Sequence, residues 1–214
     1  MVVAIDGPAG SGKGTVSKIL AKECNLLYID TGVTYRCVAL KVIENNIDLN
    51  DKFAIIDIAS KIDVTFSKEG FTYMDGKDVS DRIRDKDVTS IVSPISSIPE
   101  VRTYMVELQR KMASNNDIVM EGRDIGTVVF PNADYKFYLD ASVGVRAKRR
   151  FEQNKEKGIN MSLEEIKDSN EKRDYNDMHK EVGALIRTDE QIYIDSSNMT
   201  IDDVIDSIRK VIGR

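Results

Sequence analysis

The stretch that decides the fold runs from residue 2 to residue 15 and reads VVAIDGPAGSGKGT. Its first four residues form an apolar run of strand length, and a glycine-rich loop follows directly. Beyond the loop, apolar residues recur at helical spacing, at Val16, Ile19, Leu20 and Cys24. A strand, a glycine-rich turn and a helix in this order predict that the chain begins as an α/β protein.

The glycine-rich loop has the spacing of a phosphate-binding loop, with Gly7 followed at the required offset by Gly12-Lys13. Glycines let successive backbone N–H groups point at one phosphate, and the start of the helix adds partial positive charge. A strand-to-helix turn without a ligand would explain the glycines but not the lysine. The candidates for binding nucleotide phosphates are therefore Gly7, Pro8, Ala9, Gly10, Ser11, Gly12, Lys13, Gly14 and Thr15.

The residue after Lys13 bears on which protein group could bind Mg²⁺. In most phosphate loops it is a Ser or Thr whose hydroxyl binds Mg²⁺, but here it is Gly14, with Thr15 one place later. No protein ligand to Mg²⁺ is therefore certain from the sequence. We expect the ion to be bound mainly through the nucleotide phosphates, with Thr15 as a candidate ligand.

Four more apolar runs of strand length follow the first, at 26–29, 118–120, 137–139 and 192–194. Strands buried on both faces are continuously apolar, and helical segments lie between these runs, so we expect a five-stranded parallel sheet covered by helices on both sides. The segment 62–79 instead alternates apolar and polar residues, with Glu69-Gly70 and Asp75-Gly76 at turn positions. This pattern is typical of a small antiparallel insert.

Composition excludes several classes of protein. The 214 residues are 41% hydrophobic, and 31 Lys and Arg against 36 Asp and Glu give a net charge of −5. A disordered chain and a protein that coats nucleic acid are both disfavoured. The two cysteines, Cys24 and Cys37, suit a reducing cytoplasm, and no apolar run is long enough to span a membrane. We expect a cytoplasmic monomer without nucleic-acid or membrane partners.

Two further strings follow predicted strands, DTGVTYR at 30–36 and EGRDIGT at 121–127. The carboxyl ends of parallel strands are where ligands bind in open α/β sheets. Arg36 and Arg123 have the planar fork that matches phosphate oxygens, so they are candidates for a second phosphate site. A surface ion pair would explain either arginine alone, but two such groups beside a phosphate loop favour a function.

These strings carry a resemblance to a known family. The Gly-Lys-Gly-Thr end of the loop resembles nucleoside monophosphate kinases, and the strings at 30–36 and 121–131, with Arg173-Asp174 and Asp177, resemble bacterial cytidylate kinases. The resemblance covers essentially the whole chain, including the antiparallel insert. It implies a P-loop three-layer fold that transfers the γ-phosphoryl group of ATP, with Mg²⁺, to CMP or dCMP.

The resemblance implies roles for residues that bind the acceptor phosphate and ribose. Arg36 and Arg123 would grip the monophosphate, while Arg173 and Asp177 would hold the ribose. Three residues after that aspartate the family usually has an arginine, whereas this chain has Lys180. Lysine keeps the charge but lacks the fork, so a weaker contact is expected there.

The resemblance also implies which residues read the base. Ser93, Arg102 and Asp124 would contact cytosine, and a carboxylate suits the amino group of that base. Asp30 and Tyr35, in the first of the two strings, complete the expected CMP-binding set.

A basic run extends from Arg146 to Lys157 and contains six basic residues and two acidic ones. A solvated helix face is the ordinary explanation for such a run. Its place after the fourth predicted strand resembles the short lid of this kinase class, which closes over ATP and excludes water. Arg149 and Arg150 are the candidates to join Lys13, Arg36 and Arg123 in catalysis.

We expect one kinase domain over residues 1–214. Its core would comprise 1–60, 85–145 and 180–214, with a monophosphate-binding insert at about 61–84 and a lid with its following helix at about 146–179. Two alternatives remain open. The chain could phosphorylate another monophosphate or a small metabolite, or it could be a non-catalytic binding module that responds to nucleotide.

Overall fold

The computed structural model describes residues 1–67, 69–114, 116–156 and 158–213. The strands in chain order are β1 (Val2–Asp6), β2 (Leu27–Asp30), β3 (Val64–Phe66), β4 (Thr72–Met74), β5 (Lys77–Asp78), β6 (Ile118–Gly122), β7 (Tyr135–Asp140) and β8 (Ile192–Asp195). The helices are α1 (Lys13–Cys24), α2 (Thr31–Glu44), α3 (Lys52–Lys61), α4 (Lys86–Ser96), α5 (Pro99–Ala113), α6 (Val143–Glu156), α7 (Leu163–Met178) and α8 (Ile201–Ile212). A 3-10 turn spans Arg82–Arg84, and a π-helical turn spans Ile125–Val129.

Five strands form one sheet in the order β2-β6-β1-β7-β8. The pairs β1–β7 and β7–β8 are parallel, with Asp6 opposite Tyr138 and Tyr138 opposite Tyr193. The fold class predicted from the sequence is confirmed, with all five strands where apolar runs placed them. The central runs are continuously apolar because both faces are covered, and Ile5, Ile118 and Phe137 are fully buried.

The chain divides into two compact units, one formed by 1–26 with 119–214 and the other by 27–118. The division into core, insert and lid expected from the sequence stays a prediction. Among the described residues, no helix combines the length and the apolar character needed to cross a membrane.

In the first unit, the chain leaves β1 through a glycine that has no room for a side chain. Gly7 has φ 150°, and a Cβ built on it would lie 2.0 Å from the carbonyl oxygen of Leu139 in β7. The loop therefore passes directly over the neighbouring strand. Helices α7 and α8 each begin with a capping box, Ser162 with Glu165 and Thr200 with Asp203.

The second unit contains the predicted antiparallel insert and its own hydrophobic core. Strands β3, β4 and β5 form a three-stranded sheet, with Val64 opposite Met74 and Tyr73 opposite Asp78. The core packs residues of α2, α3, α4 and α5 together, among them the fully buried Val38, Ile55 and Met105. Pro99 occupies the first turn of α5, where a missing backbone N–H costs no hydrogen bond.

Candidate functional site

The side chain of Lys13 is folded back into the phosphate loop. It lies at the start of α1, is 5% exposed, and its Nζ donates a hydrogen bond to the carbonyl oxygen of Pro8 at 2.8 Å. Burial lowers the pKa of Lys13 to about 7, and the positive charges of Arg123 and Arg173 add to that effect, while Glu121 opposes it. A buried ammonium among other cations is poised to bind an anion.

Arg146 is a buried side chain that contacts the backbone of the phosphate loop. Its guanidinium is 3% exposed and donates to the carbonyl oxygens of Ala9 and Ala141, each at 2.9 Å. It also forms an ion pair with Asp174 of α7 at 2.6 Å. The sequence analysis placed Arg146 at the start of the basic run, and the structure shows that its charge is used inside the protein.

Replacing Arg146 by Ala should destabilise the protein by about 3–5 kcal/mol, because it leaves the Asp174 carboxylate buried without its cationic partner. Chemical denaturation of both proteins measures the difference. Lys148→Ala on the exposed side of the same helix is the matched control and should change stability by less than about 0.5 kcal/mol. Equal effects of the two substitutions would show that the buried pair contributes little.

The two arginines proposed for the lid differ in their surroundings. Arg149 donates from Nη2 to the carbonyl oxygen of Ser196 at 2.7 Å and from Nη1 to its hydroxyl at 3.1 Å. Its Nη1 also lies 3.4 Å from the carbonyl oxygen of Ser11, so this side chain rests against the phosphate loop. Arg150 is exposed on α6. Lys157, the last residue of the basic run, lies outside the described residues.

Asp177 on α7 gathers three cationic side chains. Its carboxylate lies 2.8 Å from Nε of Arg123, 3.0 Å from Nζ of Lys180 and 3.9 Å from Nε of Arg173. Burial raises the pKa of Asp177, but the charges of Arg123 and Lys180 outweigh it and hold the pKa below its ordinary value. Since the cations outnumber the carboxylate, the cluster retains positive charge.

Asp124 lies directly before the π-helical turn and is 7% exposed. Its carbonyl oxygen accepts hydrogen bonds from the amides of Val128 and Val129 at 2.8 and 3.1 Å. The turn itself is held by Asp6, whose carboxylate accepts the amides of Ile125 and Gly126. Burial raises the pKa of Asp6 to about 6, although these hydrogen bonds lower it.

The other expected site residues belong to the second unit. Asp30 caps α2 by accepting the amide of Gly32 at 2.9 Å, and it pairs with Arg36 at 2.6 Å. The guanidinium of Arg102 lies 5.6 Å from the ring centre of Tyr35, a cation–π distance, and both side chains are buried. Ser93 is exposed on α4.

The sequence reasoning missed three polar side chains that support this site: Asp6, Gln191 and Ser196, all buried. A carboxylate that ends an apolar strand directly before a phosphate loop was the available signal for Asp6. Gln191 and Ser196 flank β8 and carry no comparable signal. Among the described residues, no group of three or more His, Cys, Asp and Glu side chains could hold a metal ion.

A family model for cytidylate kinase matches residues 3–214. The chain belongs to the cytidylate kinase family. The cytidylate kinase of Lactobacillus gasseri is 46% identical over 217 residues, which cover 100% of this chain and 94% of that protein. The cytidylate kinase of Caldanaerobacter subterraneus subsp. tengcongensis is 44% identical over 212 residues, covering 99% of this chain and 94% of that protein.

A solved structure supports the fold alone. The shikimate kinase of Bacteroides thetaiotaomicron superposes with a TM-score of 0.51 at 10% identity, covering 100% of this chain and 99% of that one. Membership of the cytidylate kinase family confirms the resemblance read from the sequence and the prediction of a phosphotransferase. The alternatives, a kinase for another small acceptor or a non-catalytic binding module, are not favoured by a match over the whole chain.

Proposed function

We propose that this chain transfers the γ-phosphoryl group of ATP to CMP or dCMP, giving CDP or dCDP and ADP. One observation carries the proposal. Lys13 is buried in the phosphate loop against the carbonyl oxygen of Pro8, and Arg123, Arg173 and Lys180 gather on Asp177 in the same unit. The positive charges of Arg123 and Arg173 also lower the pKa of Lys13. Two anion-binding groups side by side suit a reaction that brings two phosphates together.

On the donor side, Lys13 and the loop amides bind the outer phosphates of ATP. Arg149 lies against the same loop and is the better placed of the two lid arginines to neutralise charge on the transferred group. The mechanism requires little besides alignment and charge neutralisation. No general base is needed, because the acceptor phosphate is already an oxyanion near neutral pH.

On the acceptor side, Arg36 and Arg123 bind the monophosphate, and Arg173 with Asp177 binds the ribose. Within the described residues, Nε of Arg36 is buried without a hydrogen-bond partner, which leaves a donor for a phosphate oxygen. Lys180 is paired with Asp177, so it acts on the substrate through that carboxylate or through charge alone. Ser93, Arg102 and Asp124 read the base.

Magnesium would supply charge neutralisation between the donor phosphates. The donor set fits an ion held mainly by the nucleotide, since Thr15 is exposed on the first turn of α1 and the described residues contain no carboxylate cluster for a metal. Thr15 is the protein residue that could contact it. The chain's own task there is to hold the phosphates through Lys13 and the loop amides.

We also propose that the chain acts as a monomer in the cytoplasm without a nucleic-acid partner. Cys24 and Cys37 are both buried thiols, which suits a reducing compartment. Size-exclusion chromatography with light scattering tests the monomer, and a mass of twice 24.0 kDa would contradict it.

A coupled assay of ADP release tests the proposed function. The acceptors are CMP, dCMP, UMP, AMP, GMP and a small hydroxyl compound such as shikimate. We expect the highest kcat/KM with CMP or dCMP. Preference for another acceptor would favour a different kinase. Tight ATP binding with negligible turnover on every acceptor would indicate a binding module instead.

Replacing Asp124 by Ala should reduce the preference for CMP over UMP by about 10- to 100-fold, since one base contact contributes about 1–3 kcal/mol of discrimination. A carboxylate accepts a hydrogen bond from the amino group of cytosine, which uracil lacks. Asp124→Asn should raise activity with UMP, because its amide can donate to the uracil oxygen. Ratios of kcat/KM measure both effects, and unchanged ratios would remove Asp124 from the base site.

ATP binding should be accompanied by proton uptake at pH 8. With its pKa lowered to about 7, Lys13 is mostly neutral at that pH in the free protein. Phosphate oxygens favour the charged ammonium and raise its pKa, so about one proton is taken up and binding weakens as the pH rises. Calorimetry in buffers of different ionisation enthalpy measures the uptake. The Lys13→Arg variant should lack it, and equal uptake in both proteins would assign the proton elsewhere.

A further inference from the structure

Asp6 has a buried carboxylate that accepts several hydrogen bonds and has no role in the proposed function. Asp6 ends β1, directly before the phosphate loop, and is 1% exposed. Its two oxygens accept three N–H donors: the amides of Ile125 and Gly126 at 2.8 Å each and Nε2 of Gln191 at 3.0 Å. Hydrogen bonds to an ionised acceptor are short and strong. One side chain thus joins the base of the loop to a turn far along the chain.

The turn that Asp6 holds carries two residues assigned to the acceptor. Arg123 and Asp124 immediately precede Ile125, where the π-helical turn begins. Turns of this kind are rare in proteins. Where they occur, they are often found at functional sites. Two successive amides fixed on one carboxylate determine the direction of the chain at Asp124. These two hydrogen bonds therefore determine the backbone positions from which the side chains of Arg123 and Asp124 project.

Gln191 fixes the orientation of the Asp6 carboxylate. This glutamine is 6% exposed, and its Oε1 accepts the amide of Thr188 at 2.9 Å. Its amide nitrogen must then face Asp6, because rotating the side-chain amide would place two acceptors or two donors against each other. The carboxylate is thus held by the turn on one side and by Gln191 on the other.

The turn approaches Asp6 so closely that a methyl group at residue 126 would press on it. A Cβ built on Gly126 would lie 3.3 Å from Oδ2 of Asp6 and 3.1 Å from Cδ of Lys136. The flexible end of Lys136 and the Asp6 carboxylate would each have to shift by a few tenths of an ångström to make room. The same contact can therefore be disturbed from both sides, by changing Asp6 or by adding a methyl group at Gly126.

We infer that Asp6 is a positioning residue for the acceptor nucleotide: through the amides of Ile125 and Gly126 it fixes Arg123 and Asp124 relative to the phosphate loop. The inference rests on the proposed function, which assigns those two residues to the monophosphate and the base. Asp6 itself touches neither substrate. Its contribution is the direction of the turn.

Asp6→Asn tests the inference, because an asparagine presents an NH₂ group where the carboxylate accepts hydrogen bonds. A misplaced contact group can cost about 100-fold in rate, so kcat/KM for CMP should fall by that order and the preference for CMP over UMP should shrink. The Kd for ATP should change less than about threefold, since the loop amides and Lys13 remain. Gly126→Ala should reproduce the same separation of effects.

Amide hydrogen exchange supplies a readout independent of activity. In Asp6→Asn the amides of Ile125 and Gly126 should exchange at least about tenfold faster, while those of β7 keep their protection. Ile208→Val in α8 is the control for lost stability, because Ile208 is fully buried among apolar residues. It should lower the Tm and leave the CMP preference unchanged.

The outcomes separate the inference from the proposed function. A wild type that does not phosphorylate CMP defeats the proposed function, and hydrogen exchange then still decides whether Asp6 holds the turn. A wild type active on CMP, with Asp6→Asn and Ile208→Val equal in KM for CMP and in selectivity, overturns the inference. If Asp6→Asn does not fold, Gly126→Ala and Gln191→Met carry the same measurements.

Discussion

Replacing Lys13 by Met is expected to lower the turnover of CMP with ATP by at least about 10³-fold, the scale of removing a charge that stabilises a phosphoryl-transfer transition state. Methionine has a similar length and fills the same space without the charge. The ammonium lies inside the loop against the carbonyl oxygen of Pro8, at the position assigned to the donor phosphates. Steady-state kinetics with saturating CMP measures the loss.

The control for Lys13 is Lys13→Arg, which keeps the charge and changes its shape. Nζ of Lys13 lies 2.8 Å from the carbonyl oxygen of Pro8, and the planar fork of an arginine has a different geometry from this single donor. Both variants should therefore lose turnover, whereas their Tm should stay within a few degrees of the wild type. Full activity in Lys13→Arg would show that charge alone, without its position, is what the loop requires.

Replacing Arg123 by Ala is expected to lower kcat/KM for CMP by about 10²- to 10³-fold while the Kd for ATP changes little. Arg123 is half of the cationic pair assigned to the monophosphate, and its Nε contacts Asp177 at 2.8 Å. Without it, the Asp177 carboxylate loses one of its cationic partners, and the positive charge of the cluster falls. The lost contact to the phosphate is therefore accompanied by weaker electrostatic attraction of the acceptor.

The Arg123→Lys variant separates charge from geometry. A lysine keeps the positive charge beside Asp177 but cannot bind that carboxylate and a phosphate with one rigid fork. We expect it to recover part of the lost activity, measured as kcat/KM for CMP. Equal losses of CMP turnover and of ATP affinity in Arg123→Ala would instead indicate that this residue maintains the fold.

The sheet and the phosphate loop were predictable because their causes are local. A strand buried on both faces must be largely apolar, and the runs 2–5, 118–120 and 137–139 within β1, β6 and β7 are continuously apolar. The caps at Ser162 and Thr200 follow from side chains three residues apart. Helix α2 was not anticipated, although Asp30 at its N-cap was a usable signal.

The support of the candidate site was not predictable, because it depends on contacts between distant parts of the chain. Arg146 and Arg150 are both arginines of the same basic run and lie about one helical turn apart. Arg146 is nevertheless buried in an ion pair with Asp174, whereas Arg150 is exposed. Neither periodicity nor composition distinguishes them. The roles of the substrate-binding residues rest on family resemblance and stay predictions, since they require the bound nucleotides.

The passage of Gly7 over β7 has a consequence for the evolution of this protein. The atom that a side chain at this position would strike, at 2.0 Å, is the backbone carbonyl of Leu139, and every amino acid carries that atom. No compensating substitution at residue 139 can therefore create space. Any single substitution at residue 7 would therefore disturb the loop. As long as the loop keeps this path across the sheet, we expect natural selection to retain glycine at its first position.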